Sequence, residues 1–257
     1  MADWNEPRTG QNVGSVPRAG GEVRETYDEG LRKYMLSIYN HMASAVLLTG
    51  IVALLFVNSP LFGMAFEVVQ TPQGRFLQAN GLGWAIKLAP FAFLLFWWFG
   101  AAKASKATLN VAFWSFAVVF GLSLSGIFAV YTGESIAAAF FSAAAGFAGL
   151  SLWGYTTKKD LSGWGSFLII GAIGLMVAFP LNIFVFGSGL MHMALSAAGV
   201  LIFAGLTAYD TQRLKEQYRY VAGTSEIGRA IIFGAFNLYL DFINLFIMLL
   251  QFLGNRE

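Results

Sequence analysis

Seven runs of about twenty or more apolar residues constrain this chain more than anything else in its sequence. They fall at about 34–58, 82–101, 107–131, 135–156, 164–186, 189–213 and 228–252. A helix needs about 20 predominantly apolar residues to cross the hydrocarbon of a bilayer. Between the runs lie short polar breaks: KASK (103–106), TGES (132–135), TKKDLSG (157–163), GSG (187–189) and KEQYRYVAGTSE (215–226). Only the first connection, 59–81, is long. Such short loops force neighbouring helices to run antiparallel. The pattern predicts an all-α integral membrane protein with seven transmembrane helices.

Composition agrees. Of the 257 residues, 57% are hydrophobic and 12% charged, about half the charged share of a soluble domain. The chain has no cysteine, which removes disulfides and thiolate metal sites. Residues 1–30 are polar, hold Pro7 and Pro17, and precede the first apolar run. They read as a disordered tail with no cleavable signal, ahead of a transmembrane domain over 31–257. ETYDEGLRKYM is the point where a helix leading into the first span can begin. No internal repeat is visible, which disfavours an inverted-repeat transporter.

The cations give an orientation. With the N-terminus cytoplasmic, thirteen of the sixteen Lys and Arg lie inside, and only Arg75, Lys87 and Arg256 fall toward the other side. The positive-inside rule therefore predicts N-in and C-out. A six-span count would require one segment to re-enter, and the last, which carries a carboxylate, is the candidate.

That carboxylate is the second constraint. Of fourteen acids, Asp210 and Asp241 are the two within, or at the end of, predicted spans. A charged side chain at the centre of a spanning helix costs about 2.5–3.5 kcal/mol on insertion scales. Spans six and seven are consecutive and antiparallel. If helix six continues to about Tyr220, Asp210 stands about ten residues and Asp241 about fifteen from the turn between them, a mismatch of several ångströms at about 1.5 Å per residue. They can face each other. Two adjacent carboxyls in a low dielectric share a proton and titrate as one unit; without the proton they form a hard oxygen site suited to Ca²⁺. Two plainer readings stand beside this one. Asp241 can be a protonated carboxyl bonded to Tyr239 or Tyr209, and Asp210 an interfacial residue paired with Arg213 or Lys215.

Asn237 and Asn244 lie at −4 and +3 from Asp241, on its helix face, with Gln251 a heptad further on. A polar stripe on an apolar helix faces protein or water, so span seven is predicted to be central and wrapped by the other six. Lys87 is placed to snorkel at the end of span two. His41 and His192 have no partner at metal-ligand spacing. The small residues of GLSLSGIFA and SAAAGFAGLS read as close helix packing, and Pro90 and Pro180 as kinks. No phosphate loop, dinucleotide fingerprint, HExxH or nucleophile elbow is present, so an enzyme is not expected, and no cofactor or nucleic-acid partner is implied. A retinal-type photoreceptor is excluded because 230–255 holds no lysine.

GLTAYDTQRLKEQY (205–218), followed about thirty residues later by LYLDFINLFIMLLQFLG, closely resembles the Bax inhibitor-1, or transmembrane BAX inhibitor motif, family. The resemblance covers nearly the whole chain. It implies a seven-helix fold with the last helix surrounded, in a bacterial inner membrane. It also implies that Asp210 and Asp241 form a hydrogen-bonded pair that senses pH and gates a Ca²⁺ leak. Bacterial relatives place an arginine at the inner end of span two that pairs with the aspartates; its counterpart here is Lys103, a point charge without the bidentate fork of arginine. A pore-lining glutamate of span two has no counterpart, and an arginine late in span seven is replaced by Gln251. Some bacterial relatives associate with the FtsH membrane protease, which makes an interaction protein working through the N-terminal tail the second expectation.

Overall fold

The computed structural model describes residues 19–71 and 74–255. Seven of its helices are long and apolar enough to cross a membrane. The first, α1 (Ala19–Val57), starts well before the apolar run. Asp28 and Arg32, and Glu29 and Lys33, stand at i,i+4 with the acid first, the favourable order on a helix. Of the tail expected over 1–30, residues 1–18 lie outside the described residues, and 19–30 belong to α1.

The long first connection is structured. A short helix α2 (Pro60–Ala65) leads into an antiparallel hairpin, β1 (Phe66–Thr71) and β2 (Gly74–Ala79), with Phe66 opposite Ala79 and Thr71 opposite Gly74. Phe62, Ala65 and Phe66 form a small core of their own. Lys87 does not simply reach outward: its Nζ lies 5.6 Å from the centroid of Phe66 and 5.5 Å from that of Trp84.

The remaining helices are α3 (Gly81–Phe99), α4 (Lys106–Leu124), α5 (Gly126–Val130), α6 (Gly133–Thr156), α7 (Ser162–Leu181), α8 (Gly189–Val221) and α9 (Ile227–Leu253). Short side chains that accept from first-turn amides open four of the spans: Asn80 for α3, Ser105 for α4, Thr132 for α6 and Ser188 for α8. Each satisfies first-turn amides that have no partner within the helix. The third span is broken between α4 and α5 at Ser125. The fifth ends in a π turn, Asn182–Phe186, just after Pro180, and Gly187 closes it with φ +61°. Proline supplies no amide to the ladder there, and the wider turn follows it.

α8 runs about two turns past the expected end of span six. Leu214 and Tyr218, one turn apart, are buried, and the Tyr218 ring packs on Tyr27 and Tyr34 of α1 at 5.2 and 5.3 Å. That apolar edge carries the helix beyond the membrane run.

α9 is the most buried span. In its most apolar window 67% of residues are buried, against 11–33% in the other six. It packs closely on α1, α4, α6 and α8; α3 reaches it through Trp97, stacked on Phe236 at 3.8 Å. Between α1 and α6 runs an apolar crevice floored by Phe242 of α9. A second opening, between α3 and α7, exposes the other side of α9 and leads to the aspartates.

The cation-bearing loops gather at one end of the bundle. Arg229 donates to the carbonyls of Ala101 and Ala102 at 3.5 and 2.7 Å. Lys215 donates to Tyr155 O at 2.7 Å.

Candidate functional site

α8 and α9 are the most closely packed pair of spans, joined by a tight turn in which Gly223 takes φ +72°. On the other side of α8 the small residues face α6: the Ala208 carbonyl lies against Gly154, and Thr211 donates to Ser151 Oγ at 3.2 Å. Asp210 of α8 and Asp241 of α9 stand together in the wall of one cavity. Asp241 is 5% exposed, and its Oδ2 receives no amide or hydroxyl hydrogen. Two ionised carboxylates are acceptors only. A hydrogen bond between the two carboxyls therefore needs a proton held on one or the other.

The pair forms part of the wall of a cavity of about 540 Å³ between α3, α7, α8 and α9. Asn237 and Asn244 line the same cavity, so the four polar residues of α8 and α9 converge on one space. The rest of the wall is apolar, with Trp98 on α3 and Met176 and Phe179 on α7. Asn244 donates its Nδ2 to Leu240 O at 2.8 Å, which turns its amide on the helix face and leaves Oδ1 as the acceptor. Gln251 lies outside this group and accepts from Ser196 Oγ at 3.3 Å.

Of the partners in the plainer readings, Tyr239, Tyr209 and Lys215 are engaged elsewhere, and Arg213 remains beside Asp210. The Tyr239 hydroxyl is bonded to Thr49 Oγ1 at 2.8 Å, on the α1 side of α9. The Tyr209 ring packs over Gly165 on α7. Lys215 is committed to Tyr155, whose carbonyl it bonds and whose ring it overlies at 5.0 Å. Arg213, one turn after Asp210, acts on that carboxyl through its charge.

Lys103 is not where a latch would need it. It ends a single 3-10 turn after α3 (Ala101–Lys103) and is exposed. Among the described residues no ion pair joins it to Asp210 or Asp241. The carbonyls just before it are occupied by Arg229, whose positive charge works against bringing the Lys103 ammonium inward. A three-membered group of Asp210, Asp241 and Lys103 is therefore not assembled in this conformation.

Among the described residues no group of three or more His, Asp or Glu is set to hold a metal. A divalent ion at the pair would have two carboxylates, with amide oxygen and water to complete the shell. Such a ligand set suits a passing Ca²⁺, which takes oxygen ligands in flexible geometry.

Sequence reasoning missed three supports. Thr49 was unremarkable in an apolar run, yet it donates to Ala117 O at 2.9 Å and so ties α1, α4 and α9 together with Tyr239. Gln212, in the AYDTQ motif, bonds Leu161 N and Lys159 O, each at 2.8 Å. Its signal was a polar residue two positions after Asp210. Trp97 and Trp98 carried no signal beyond their aromatic bulk.

The sequence profile of the family described as inhibitor of apoptosis-promoting Bax1 matches residues 31–257. An uncharacterized protein of Caulobacter vibrioides is 44% identical over 245 residues, 95% of this chain and 96% of the relative. Another, from Rickettsia prowazekii, is 42% identical over 235 residues, 91% and 94% of the two chains. The inner membrane protein YbhL of Escherichia coli is 38% identical over 230 residues, 89% and 94%.

Proposed function

The chain belongs to the Bax inhibitor-1 family of multi-pass membrane proteins, and from that premise we propose that it is a pH-sensitive Ca²⁺ leak channel of a bacterial inner membrane, with its N-terminus cytoplasmic. One observation carries the reading: two carboxyls on consecutive antiparallel spans meet in a cavity whose wall, Asn237 and Asn244 aside, is otherwise apolar. A single carboxyl there would be a packing residue. A pair is a proton-binding unit whose charge changes by one when the shared proton leaves.

The mechanism follows from charge. With the proton in place, the carboxyl–carboxyl bond joins α8 to α9 and the cavity carries a single negative charge. When the proton leaves, the bond is lost and two like charges face each other. At about 4 Å and an effective dielectric of about 20, such a pair repels by about 4 kcal/mol. Separation of the helices or entry of a divalent cation relieves that repulsion. Asn237 and Asn244 extend the polar face along α9 by a turn on each side of Asp241 and supply amide oxygens along the path. Lys103 takes no part in the closed contact.

The test is Ca²⁺ flux into liposomes holding the purified protein, between about pH 6 and about pH 8. Wild type is expected to show flux that varies with pH. Asp210→Asn and Asp241→Asn are expected to lose the variation, and Lys103→Gln to keep it. Flux that is absent in wild type, or equally pH-dependent in both asparagine variants, would overturn the proposal.

A further inference from the structure

The crevices of the described residues differ in charge. Those along the α1/α6 seam and between α3 and α4 have no charged side chain in their walls. The aspartate cavity has carboxyls and no cation. A fourth crevice, of about 510 Å³, lies between α6, α7 and α8 and has a lysine, Lys159, at its polar end. Its form is amphipathic along one direction. Lys159 and Asp160 stand at the loop end, Trp153, Trp164 and Tyr209 follow, and Leu168 and Leu201 lie deepest. From Tyr209 to Leu201 the α8 backbone advances about 12 Å at about 1.5 Å per residue. Trp164 is 61% and Leu201 74% exposed, so the crevice opens sideways, toward the membrane.

The loop that presents the lysine is held in place. Gln212, 8% exposed on α8, accepts from Leu161 N and donates to Lys159 O, both at 2.8 Å. This clamp fixes the backbone on either side of Asp160. The Asp160 carboxylate is engaged locally, accepting from Ser162 N at 2.8 Å at the start of α7. Among the described residues the Lys159 ammonium has no ion-pair partner, and Lys158 adjoins it. With Asp160 included, the loop carries a net charge of one positive unit.

We propose that this crevice binds an anionic phospholipid, with its phosphate at Lys159 and Lys158 and one acyl chain lying along Trp164, Phe167 and Leu201. Three features point to this occupant. The positive charge is at one end only, at the level of the tryptophans, where headgroups meet hydrocarbon. The remainder is an apolar channel lined by Trp164, Phe167, Leu168, Leu201 and Ile202 that opens sideways. A second copy of this chain would meet that lysine pair with a face whose own loops at this end of the bundle are also cationic, whereas a lipid phosphate neutralises it.

The test uses the full chain in phosphatidylcholine vesicles with a small fraction of brominated phosphatidylglycerol, or the same fraction of brominated phosphatidylcholine, and reads quenching of tryptophan fluorescence. Phosphatidylglycerol is expected to quench at a lower fraction, by on the order of fivefold for each lysine engaged. The preference should vanish in Lys158→Gln/Lys159→Gln, persist in Lys158→Arg/Lys159→Arg, and grow in Asp160→Asn, whose amide oxygen can still accept from Ser162 N. Trp164→Phe should remove most of the phosphatidylglycerol-specific quenching. Equal quenching by the two lipids, a preference that survives the glutamine pair, or specific quenching undiminished without Trp164 would each overturn the proposal.

Discussion

Tyr239 and Thr49 offer a prediction whose size and sign both come from the structure. Thr49 donates its hydroxyl hydrogen to Ala117 O at 2.9 Å, so the Tyr239 hydroxyl must be the donor in the 2.8 Å bond between the two side chains. Tyr239 is 0% and Thr49 3% exposed. Tyr239→Phe deletes a donor and leaves Thr49 still bonded to Ala117. Its cost is that of one net hydrogen bond, about 0.5–1.5 kcal/mol, toward the low end for bonds between membrane helices. Thr49→Val is nearly isosteric but strands the Tyr239 hydroxyl in a dry core without an acceptor. Its cost is the desolvation penalty of that group, about 1–3 kcal/mol. The order is therefore Thr49→Val worse than Tyr239→Phe. The double variant, which removes the stranded hydroxyl, should be no worse than Thr49→Val alone and so markedly less than additive. Reversible unfolding in mixed micelles, followed by circular dichroism, measures all three. Additive costs, or a Tyr239→Phe that costs more than Thr49→Val, would refute the assignment of donor and acceptor.

Three further predictions concern the frame around the site. A Cβ at Gly154 would fall on the carbonyl oxygen of Ala208, so Gly154→Ala should force α6 and α8 apart and cost about 1–3 kcal/mol in the same unfolding assay. Arg229→Gln removes the donor that holds Ala101 O and Ala102 O, and the 3.0 Å ion pair with Glu226; hydrogen exchange at residues 101–106 should quicken while the α9 core stays protected. Hydrogen bonds from Ser162 hold the Asp160 carboxyl below its ordinary value of 3.8. Its contribution is thus fully present above that value and is lost as pH falls through the lower folded one. Asp160→Ala should lower the melting temperature slightly near neutrality, and the gap to wild type should close below about pH 4.

How much of this was legible beforehand differs from residue to residue. The seven spans were plain because each must present about twenty apolar residues to lipid. The meeting of Asp210 and Asp241 followed from their depth relative to one turn, since a helix converts residue count to distance linearly. The hairpin was written in FEVVQTPQGRFLQA, with Pro-Gln-Gly between two β-compatible runs, but a membrane reading treats everything between spans as loop. The same depth argument let helix six run on to about Tyr220; what packs that extension, the contact of Tyr218 with the tyrosines of α1, lies in no window of α8. Lys103 was matched to a partner by position in the chain, and position fixes the helix end it occupies but not the direction of a flexible four-carbon stem. The clamp made by Gln212 joins residues fifty-one and fifty-three apart, beyond the reach of any local pattern.

The central claim is that Asp210 and Asp241 hold one proton between them. Infrared difference spectroscopy of the protein in lipid, with pH as the variable, reads protonated carboxyl groups directly. The account predicts one buried carboxyl that gives up its proton as pH rises and whose signal is absent or displaced in both Asp210→Asn and Asp241→Asn. A carboxyl signal that is unchanged in either variant would contradict it.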